Sequence, residues 1–395
     1  MRRLSGKGSG LKKKILCSIA YYLPGYKSGG PVRTISNLVE RLGDEFDFYI
    51  VTSDRDCADD RPYPGVTVNA WNRAGKALVY YMPAKGLVFS KLSRLIRKSE
   101  CDIIYFNSFF NPGFTILPLL ARKLGLLPDA PVILAPRGEF SKGALKIKWL
   151  KKKIFIALSR VIGLYDHINW QASSAYEKKD IQSIMGKRAE NIVVAPDLTV
   201  CEDLSAPGKA GGKTGSCLKI VFLSRITPMK NLDYAVNVLA KVKTPVMFTI
   251  AGPVDDKPYW DLCRSLIRNL PGNITVNYMG SVAHEKVHDV LSENDLFFLP
   301  TRGENFGHVI LESLSAGTPV LVSDQSPWRS LEQKGVGWDL PLEDEEAFVK
   351  RIEACFSTGP EAYRAWRNNV KAFAASVHAD TAAMESSRQL FLSAF

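Results

Sequence analysis

The sequence lacks any run of about 20 apolar residues, so it provides no segment long enough to cross a bilayer as a helix. Its seven cysteines are scattered, and no two are spaced as Cys-x-x-Cys. This pattern excludes a disulfide framework and indicates free thiols in a reducing, cytoplasmic compartment. With 46% hydrophobic and 23% charged residues, the 395-residue chain is neither disordered nor collagen-like, and its length suggests two domains or one large one.

Acidic residues are scarce in the first half of the chain. Residues 1–200 contain 32 Lys and Arg against 17 Asp and Glu, a net charge of +15. Residues 201–395 contain 20 against 23, a net charge of −3. The two halves therefore present different surfaces, and we expect them to meet different partners.

The first apolar run, Ile15–Leu23, follows a basic start that is rich in Gly and Ser, as the core of a signal peptide would. The run is short, and no small-residue cleavage site follows it. We therefore interpret it as the buried first strand of an α/β sheet.

Short apolar runs alternate with amphipathic stretches along the whole chain, which is typical of parallel strands with crossover helices. The pattern restarts after a Gly-rich polar stretch, which predicts two doubly wound, Rossmann-like domains that face a cleft. We expect domains at 1–200 and 219–360, a linker at 201–218, and a helical tail at 361–395 that could cross back to the first domain. Strands are expected in the first half at 15–21, 47–52, 66–70, 102–107, 131–135 and 191–195.

The strongest local pattern is the segment 299–320, in which a strand enters a loop with Glu304 and Gly307 opens a helix with Glu312. The free N–H groups and the dipole of this helix start suit a phosphate. Glu312 lies about 7 Å along the helix axis, so the two acids could bracket a sugar and a ribose. The alternatives are two solvated carboxylates, or the paired acids of a glycoside hydrolase without the usual barrel or jelly-roll pattern.

In each domain, the loop that follows the first strand also carries candidate residues. Arg225 and Lys230 lie in the loop that leaves the strand 219–223, where two cations suit a diphosphate. Their alternative is a pair of surface charges. Gly29 and Gly30 precede the first helix, where glycines allow the backbone to approach a ligand closely.

These motifs together resemble the retaining glycosyltransferases of family 4, also called group 1. Glu304 and Glu312 match that family's Glu-x7-Glu motif, flanked by Asp295-Leu-Phe-Phe-Leu-Pro-Thr and by Ala316-Gly-Thr-Pro-Val. The resemblance is strong over 219–340 and looser over 15–200. It implies the GT-B fold, a nucleotide-sugar donor held mainly by the second domain, retention of configuration and no metal or other cofactor.

The resemblance also implies a set of site residues. The catalytic candidates are Glu304, Arg225 and Lys230. The donor-binding candidates are Glu312, Gly29, Gly30, Ser224, Asn305, Phe306, Gly307, His308 and Val309. On the acceptor side we expect Arg137 and Glu139, which stand where relatives often have His-Gly; Asn305 likewise replaces a usual Gly.

One segment mimics a metal site. Residues 284–288 fit His-Glu-x-x-His, the zinc-binding pattern of metalloproteases, but no third ligand follows at the required spacing. The segment coincides with a short loop and helix of the glycosyltransferase pattern, so we expect no metal here.

A basic cluster at 142–153 alternates six lysines with apolar residues that include Trp149. A helix of this kind suits an anionic membrane surface. The alternatives are an ordinary amphipathic helix that packs on the core, and a nucleic-acid contact for which no recognised signature is present.

The sequence therefore predicts a cytoplasmic enzyme, peripheral at the inner face of the cell membrane. It would transfer a sugar from a UDP- or GDP-sugar to a hydroxyl of a lipid-linked glycan in bacterial surface polysaccharide synthesis, such as that of lipopolysaccharide or exopolysaccharide. Two alternatives stay open, a nucleotide-sugar epimerase of the same fold and a non-catalytic protein that binds membrane or nucleic acid.

Overall fold

The computed structural model describes residues 12–57, 59–83, 89–199 and 216–394. The first domain is built on one sheet of eight strands: β1 (Lys13–Ser18), β2 (Phe46–Ser53), β3 (Trp71–Ala74), β4 (Ala77–Met82), β5 (Ile103–Asn107), β6 (Val132–Ala135), β7 (Asn169–Ala172) and β8 (Ile192–Val194). Their order is β3-β4-β2-β1-β5-β6-β7-β8. All neighbours are parallel except β3 and β4, which form an antiparallel edge.

Helices cover both faces of this sheet, because its central strands are apolar on both sides. They are α1 (Gly30–Leu42), α2 (Phe89–Lys98), α3 (Leu117–Lys123), α4 (Lys142–Lys146), α5 (Trp149–Val161) and α6 (Ala175–Met185). The strand order reverses between β1 and β5, so this sheet has its switch point there, next to the loop that enters α1.

The second domain contains a sheet of six parallel strands: β9 (Leu218–Leu223), β10 (Val246–Ala251), β11 (Ile274–Gly280), β12 (Leu296–Leu299), β13 (Val320–Ser323) and β14 (Gly337–Leu340). Their order is β11-β10-β9-β12-β13-β14, with the switch point between β9 and β12. Its helices are α7 (Leu232–Leu239), α8 (Lys257–Ile267), α9 (Val287–Ser292), α10 (His308–Ser315) and α11 (Glu345–Ser357). Two doubly wound α/β domains are thus confirmed.

The last two helices belong to different domains. Helix α12 (Pro360–Ala379) packs its Val370 and Ala374 into the core of the second domain. Helix α13 (Ala382–Leu392) places Phe391 in the core of the first domain, beside Phe46 of β2. At the end of α12, His378 Nδ1 lies 3.1 Å from Thr199 Oγ1. Thr199 is the last described residue of the first domain before the chain enters the second domain. The residue at which the chain leaves the first domain therefore contacts the residue at which it leaves the second.

The strand expected at 66–70 is wrong. Residues 66–70 belong to no strand, a turn at 68–69 and a bend at 70 end the segment, and the edge of the sheet is instead the hairpin of β3 and β4. The pattern Val66-Thr-Val alternates as a strand would, but Asn69 adopts a positive φ of 62°, which turns the chain. Most of the expected linker, residues 201–215, lies outside the described residues, as do residues 1–11 of the basic start.

Candidate functional site

The loops that follow β9 and β12 bring Lys230 and Glu304 together at the switch point of the second sheet. Lys230 Nζ and Glu304 Oε1 form an ion pair across 74 positions of sequence. Both side chains are largely buried, with 17% and 9% of their surfaces exposed. A pair in such a setting fixes both groups in position, because breaking it would leave an unpaired charge out of water.

The two loops are also joined through their backbones. Arg302 N–H donates to Met229 O at 2.8 Å, and Asn231 Nδ2 donates to Pro300 O at 2.9 Å. Asn231 has a positive φ of 63°, a conformation that Asn tolerates better than most residues, and it starts α7. The positions of Lys230 and Glu304 therefore follow from the fold of both loops rather than from their own ion pair alone.

Arg225 lies in the same loop as Lys230, closer to the end of β9. Its Nη1 is 2.6 Å from Asp255 Oδ2, and the guanidinium remains about one-third exposed. Ser224, the residue before it, is fixed at the strand end because its N–H donates to Ala251 O at 2.9 Å. The loop thus offers a cation at the edge of the cleft.

Helix α10 starts at the other side of the Glu304 loop. Gly307 precedes it with φ of 80°, and a Cβ there would lie 2.9 Å from Ile310 Cδ1. Trp328 Nε1 holds the loop by donating to Phe306 O at 2.6 Å. Phe306 and Val309 are partly buried against the domain core. The first turn of α10 therefore presents its N–H groups beside the Lys230–Glu304 pair.

The first domain faces this helix with the start of α1. Gly29 has φ of 67°, and a Cβ on Gly29 or Gly30 would meet no atom within 4 Å. Arg33, one turn into α1, reaches across the cleft, and its Nη2 lies 3.0 Å from Glu312 Oε1. The two expected donor-binding elements, Gly29-Gly30 and Glu312, thus lie on opposite walls of one cleft.

A buried hydrogen-bond network joins the domains next to this contact. Thr34 Oγ1 donates to Asp197 Oδ2 at 2.8 Å and lies 3.0 Å from His308 Nε2. Because the Thr34 hydroxyl proton goes to Asp197, its oxygen is the acceptor for the His308 N–H. Burial lowers the pKa of His308 to about 4, so the imidazole is neutral near pH 7.

The two residues expected on the acceptor side are engaged within the first domain. Arg137 Nη1 lies 2.6 Å from Asp197 Oδ1, and only 6% of its side chain is exposed. Glu139 accepts hydrogen bonds from Ser108 Oγ at 2.7 Å and from the N–H groups of Phe109 and Phe110. Burial raises the pKa of the Glu139 carboxyl. Both side chains therefore organise the loops that follow β5 and β6.

Asn305, which replaces the glycine usual in relatives, contacts the first domain. Its Oδ1 accepts a hydrogen bond of 2.7 Å from Ser173 Oγ, just before α6. Gly138 comes so close that a Cβ there would lie 3.2 Å from Asn305 Cβ. Asn305 is thus an interdomain contact beside Glu304.

The segment that mimics a zinc motif is split between two short helices. Residues 284–286 form a single 3-10 turn, and His288 belongs to α9. His284 Nδ1 hydrogen-bonds to Arg33 Nη2. Among the described residues, no group of three or more His, Cys, Asp or Glu side chains is arranged to hold a metal ion.

Sequence reasoning missed four residues of this cleft, namely Arg33, Thr34, Ser173 and Asp197. Arg33 and Thr34 directly follow the Gly29-Gly30 loop, so their place in the first turn of α1 was a usable signal. Asp197 and Ser173 follow β8 and β7, two strands at the edge of the sheet. Their contacts span more than 100 positions, and sequence spacing carries no sign of them.

Taken together, the cleft holds cations and carboxylates next to one another. Arg225, Lys230 and the start of α10 supply positive potential, whereas Glu304 and Glu312 supply carboxylates that can accept hydrogen bonds from hydroxyl groups. Such a site suits a ligand that carries both phosphates and sugar hydroxyls.

Comparison with known proteins supports this interpretation. Residues 209–373 match the family model described as glycosyl transferases group 1. An uncharacterized 41.2 kDa protein in the cps region of Klebsiella pneumoniae is 25% identical over 332 residues, which is 82% of this chain and 87% of that protein. The phosphatidylinositol N-acetylglucosaminyltransferase GPI3 subunit of Saccharomyces cerevisiae is 25% identical over 182 residues, which is 44% of this chain but only 38% of that protein.

Solved structures match the fold over nearly the whole chain. HepE of Anabaena, whose crystal structure contains UDP and glucose, superimposes with a TM-score of 0.67. The superposition covers 97% of this chain and all of that chain, at 17% sequence identity. The two-domain architecture is therefore the GT-B fold.

Proposed function

From a second domain that matches the group 1 glycosyl transferases, we propose that this GT-B protein transfers a sugar from a nucleotide-diphosphate sugar to a hydroxyl of a lipid-linked glycan, with retention of configuration. UDP- and GDP-sugars are the proposed donors. The observation that carries the proposal is the convergence of Lys230, Glu304 and the start of α10 at the switch point of the second sheet.

The proposed chemistry follows the charge that develops as the bond from sugar to phosphate loosens. Negative charge grows on the diphosphate, where Arg225, Lys230 and the N–H groups of α10 stabilise it. These groups are held in place before the reaction, so they need little rearrangement in the transition state. In this scheme they serve in place of a metal cofactor.

The two carboxylates would hold the donor. Glu304 accepts hydrogen bonds from the sugar hydroxyls, and Glu312 accepts them from the ribose. The acceptor hydroxyl then attacks the anomeric carbon from the face that the diphosphate leaves. The departing phosphate oxygen takes the proton of that hydroxyl, so no protein nucleophile is required. Closure of the two domains excludes water and limits hydrolysis of the donor.

The relatives support a nucleotide-sugar donor and a lipid-linked acceptor. HepE was crystallised with UDP and glucose, which favours a UDP-sugar. The yeast relative is named for transfer of N-acetylglucosamine to phosphatidylinositol, a lipid. The Klebsiella relative lies in a cps region, which favours a role in bacterial surface polysaccharide.

A lipid-linked acceptor requires that the enzyme work at a membrane, and α5 offers a surface for this. Leu150, Ile154, Leu158 and Val161 lie on one face of α5 and are 52–83% exposed. Their spacing of four, four and three residues forms one continuous apolar stripe along the helix. No helix among the described residues is long and apolar enough to span the membrane, so α5 would lie in its interface.

The positive charges on either side of this stripe favour an anionic lipid surface as its partner. Lys151 and Lys153 lie on either side of it, and no acidic residue occurs between Glu139 and Asp166. Near-surface lysines contribute about 1 kcal/mol each to binding of anionic lipids. A second copy of the chain would instead bring lysines against lysines. We therefore propose that the protein works at the inner face of the cell membrane.

The test of the proposed donor site is thermal unfolding of the full chain with UDP, GDP, ADP, dTDP or CMP. A ligand at 100 times its Kd adds about 2.7 kcal/mol of stability and should raise Tm by several degrees. We expect a shift with one nucleotide diphosphate, and expect Glu312→Ala to abolish it. A control variant, Glu332→Ala, alters an exposed carboxylate and should keep the shift.

If none of the five nucleotides raised Tm, the proposal would be contradicted. Release of the nucleotide from a donor sugar only when a glycan acceptor is added would distinguish transfer from epimerisation, which needs no acceptor. Equal release with and without acceptor would also contradict transfer.

A further inference from the structure

Arg33 has a position that the proposed mechanism does not yet use. It projects from the first turn of α1 in the first domain and ends at Glu312 of the second domain, 279 positions away. About a quarter of each side chain is exposed to the cleft. This contact is therefore at the surface of the cleft, within reach of a ligand, rather than inside the interdomain core.

The guanidinium is oriented by two partners. Its Nη2 donates to Glu312 Oε1 at 3.0 Å and to His284 Nδ1. A guanidinium can only donate, so the His284 ring nitrogen is the acceptor in this contact. A guanidinium has five N–H donors in a planar fork, and Nη2 carries two of them. The fork is thus held at a fixed angle beside Glu312.

The neighbours of Arg33 also favour a phosphate. Gly29 and Gly30 lie within one turn of it, and a Cβ on either would meet no atom within 4 Å. The α1 helix begins there, and its first turn contains no acidic residue. Guanidinium groups recognise phosphate oxygens bidentately, which makes Arg the residue best suited to such a place.

We propose that Arg33 is a donor-binding residue supplied by the first domain, which pairs with the diphosphate once the ribose occupies Glu312. This inference rests on the proposed function, because it takes Glu312 as the ribose contact. Arg33 then does for the donor what Arg225 and Lys230 do from the second domain, and the donor is held by cations from both walls of the cleft. Binding of the diphosphate would thereby draw the two domains together.

The experiment is a calorimetric titration of the full chain with UDP and, separately, with uridine, or with GDP and guanosine if the unaltered chain binds those. We expect Arg33→Ala to raise the Kd for the diphosphate by about tenfold or more, as expected for loss of one charged hydrogen bond. The Kd for the nucleoside, which has no phosphate, should change by less than about threefold on the same scale. Arg33→Lys, which keeps the charge but loses the fork, should be intermediate.

Arg41→Ala is the matched control. Arg41 lies in the last turn of the same helix and contacts Thr199 O and Met384, away from the cleft. It should leave both Kd values unchanged. Circular dichroism and thermal unfolding will show whether each variant is folded. If Arg33→Ala does not fold, the same comparison of Kd values is made with Arg33→Lys.

The outcomes separate the two proposals. Equal weakening of nucleoside and diphosphate by Arg33→Ala would show that Arg33 only holds Glu312, and would overturn this inference alone. So would unchanged affinity for both. Failure of the unaltered chain to bind any nucleoside diphosphate would overturn the proposed function, and this inference with it.

Discussion

At the scale of single residues, the Lys230–Glu304 pair is the contact on which the proposed chemistry depends most. Each group is mostly buried, and the two supply a proposed contact to the diphosphate and one to the sugar hydroxyls. Removing one hydrogen-bond donor that is preorganised for developing negative charge costs about 100- to 1000-fold in turnover in other enzymes.

We predict that Lys230→Ala lowers kcat by about 100- to 1000-fold, because the leaving diphosphate loses a fixed cation. Initial rates with donor and acceptor at saturating concentrations will measure the effect. Lys241→Ala removes an exposed lysine of the same domain, paired with Glu345, and should leave kcat unchanged. If Lys230→Ala and Glu304→Ala both kept full activity, the mechanism would be wrong.

Residues of the two halves of the site differ in how far the sequence could reveal them. Glu304, Arg225 and Lys230 stand in loops after strands of one domain, and Glu312 stands in the helix that follows the Glu304 loop. At such places spacing and residue type are informative. Asp197 is a single acid after a three-residue strand, and its partners come from α1, from the loop after β6 and from the loop before α10. These contacts join residues 60 to 163 positions apart, so no local pattern predicts them.

At the scale of elements, α5 combines an apolar exposed stripe with a lysine on either side. The opposite face is already used, since Ile156 and Ser159 are buried in the first domain. Lys152 also belongs to that inner side, where its Nζ donates to Ala144 O at 2.7 Å and burial lowers its pKa. The helix therefore packs on the first domain with one face and leaves the other exposed.

We predict that the double substitution Ile154→Ser and Leu158→Ser weakens binding to phosphatidylglycerol-containing vesicles by more than about tenfold. The two side chains lose apolar burial in the lipid interface, while the fold loses little because both are more than half exposed. Cosedimentation with vesicles will measure the binding.

The control for this prediction is Leu124→Ser, which removes an equally exposed leucine at the end of α3, outside the stripe. It should bind the vesicles as the unaltered chain does. Pure phosphatidylcholine vesicles should bind all forms weakly. Unchanged binding by the double variant would exclude α5 as the membrane contact.

Among the elements, strands with an apolar run were predictable and strands with polar side chains were not. β1, β2 and β5 contain the runs Ile-Leu-Cys, Phe-Tyr-Ile-Val and Ile-Ile-Tyr-Phe, because both faces of a parallel sheet are buried. β7 reads Asn-Trp-Gln-Ala and has no such run, yet Gln171 is buried, with its Nε2 donating to Ala195 O at 2.9 Å. A strand whose polar side chains are satisfied inside the fold gives no apolar signal.

At the scale of the whole molecule, the C-terminal helix α13 ties the end of the chain to the first domain. Phe391 is fully buried, with its ring centroid 5.4 Å from that of Phe46 and 5.6 Å from that of Tyr105. Arg388 adds a contact at the surface through two hydrogen bonds of 2.6 Å to Glu45. The first domain is therefore completed by residues that follow the whole of the second.

We predict that Phe391→Ala lowers the free energy of unfolding of the first domain by about 3–5 kcal/mol, the usual cost of deleting a buried Phe side chain. Leu392→Ala, at a neighbouring and half-exposed position, should cost far less. Urea unfolding followed by hydrogen exchange in each domain will separate the two effects. Equal losses in both domains, or none, would contradict this assignment of α13.

The adjacency of Thr199 and His378 has a mechanical consequence. Their contact pins the last described residue before the chain enters the second domain to the end of α12, which belongs to that domain. Arg41, which contacts Thr199 O, and Arg33, which contacts Glu312, are eight residues apart on α1, so the two interdomain contacts are separated by about 12 Å along that helix. A relative motion of the domains that keeps the first contact must therefore turn about it, and it acts on the Arg33–Glu312 contact with a lever of about that length.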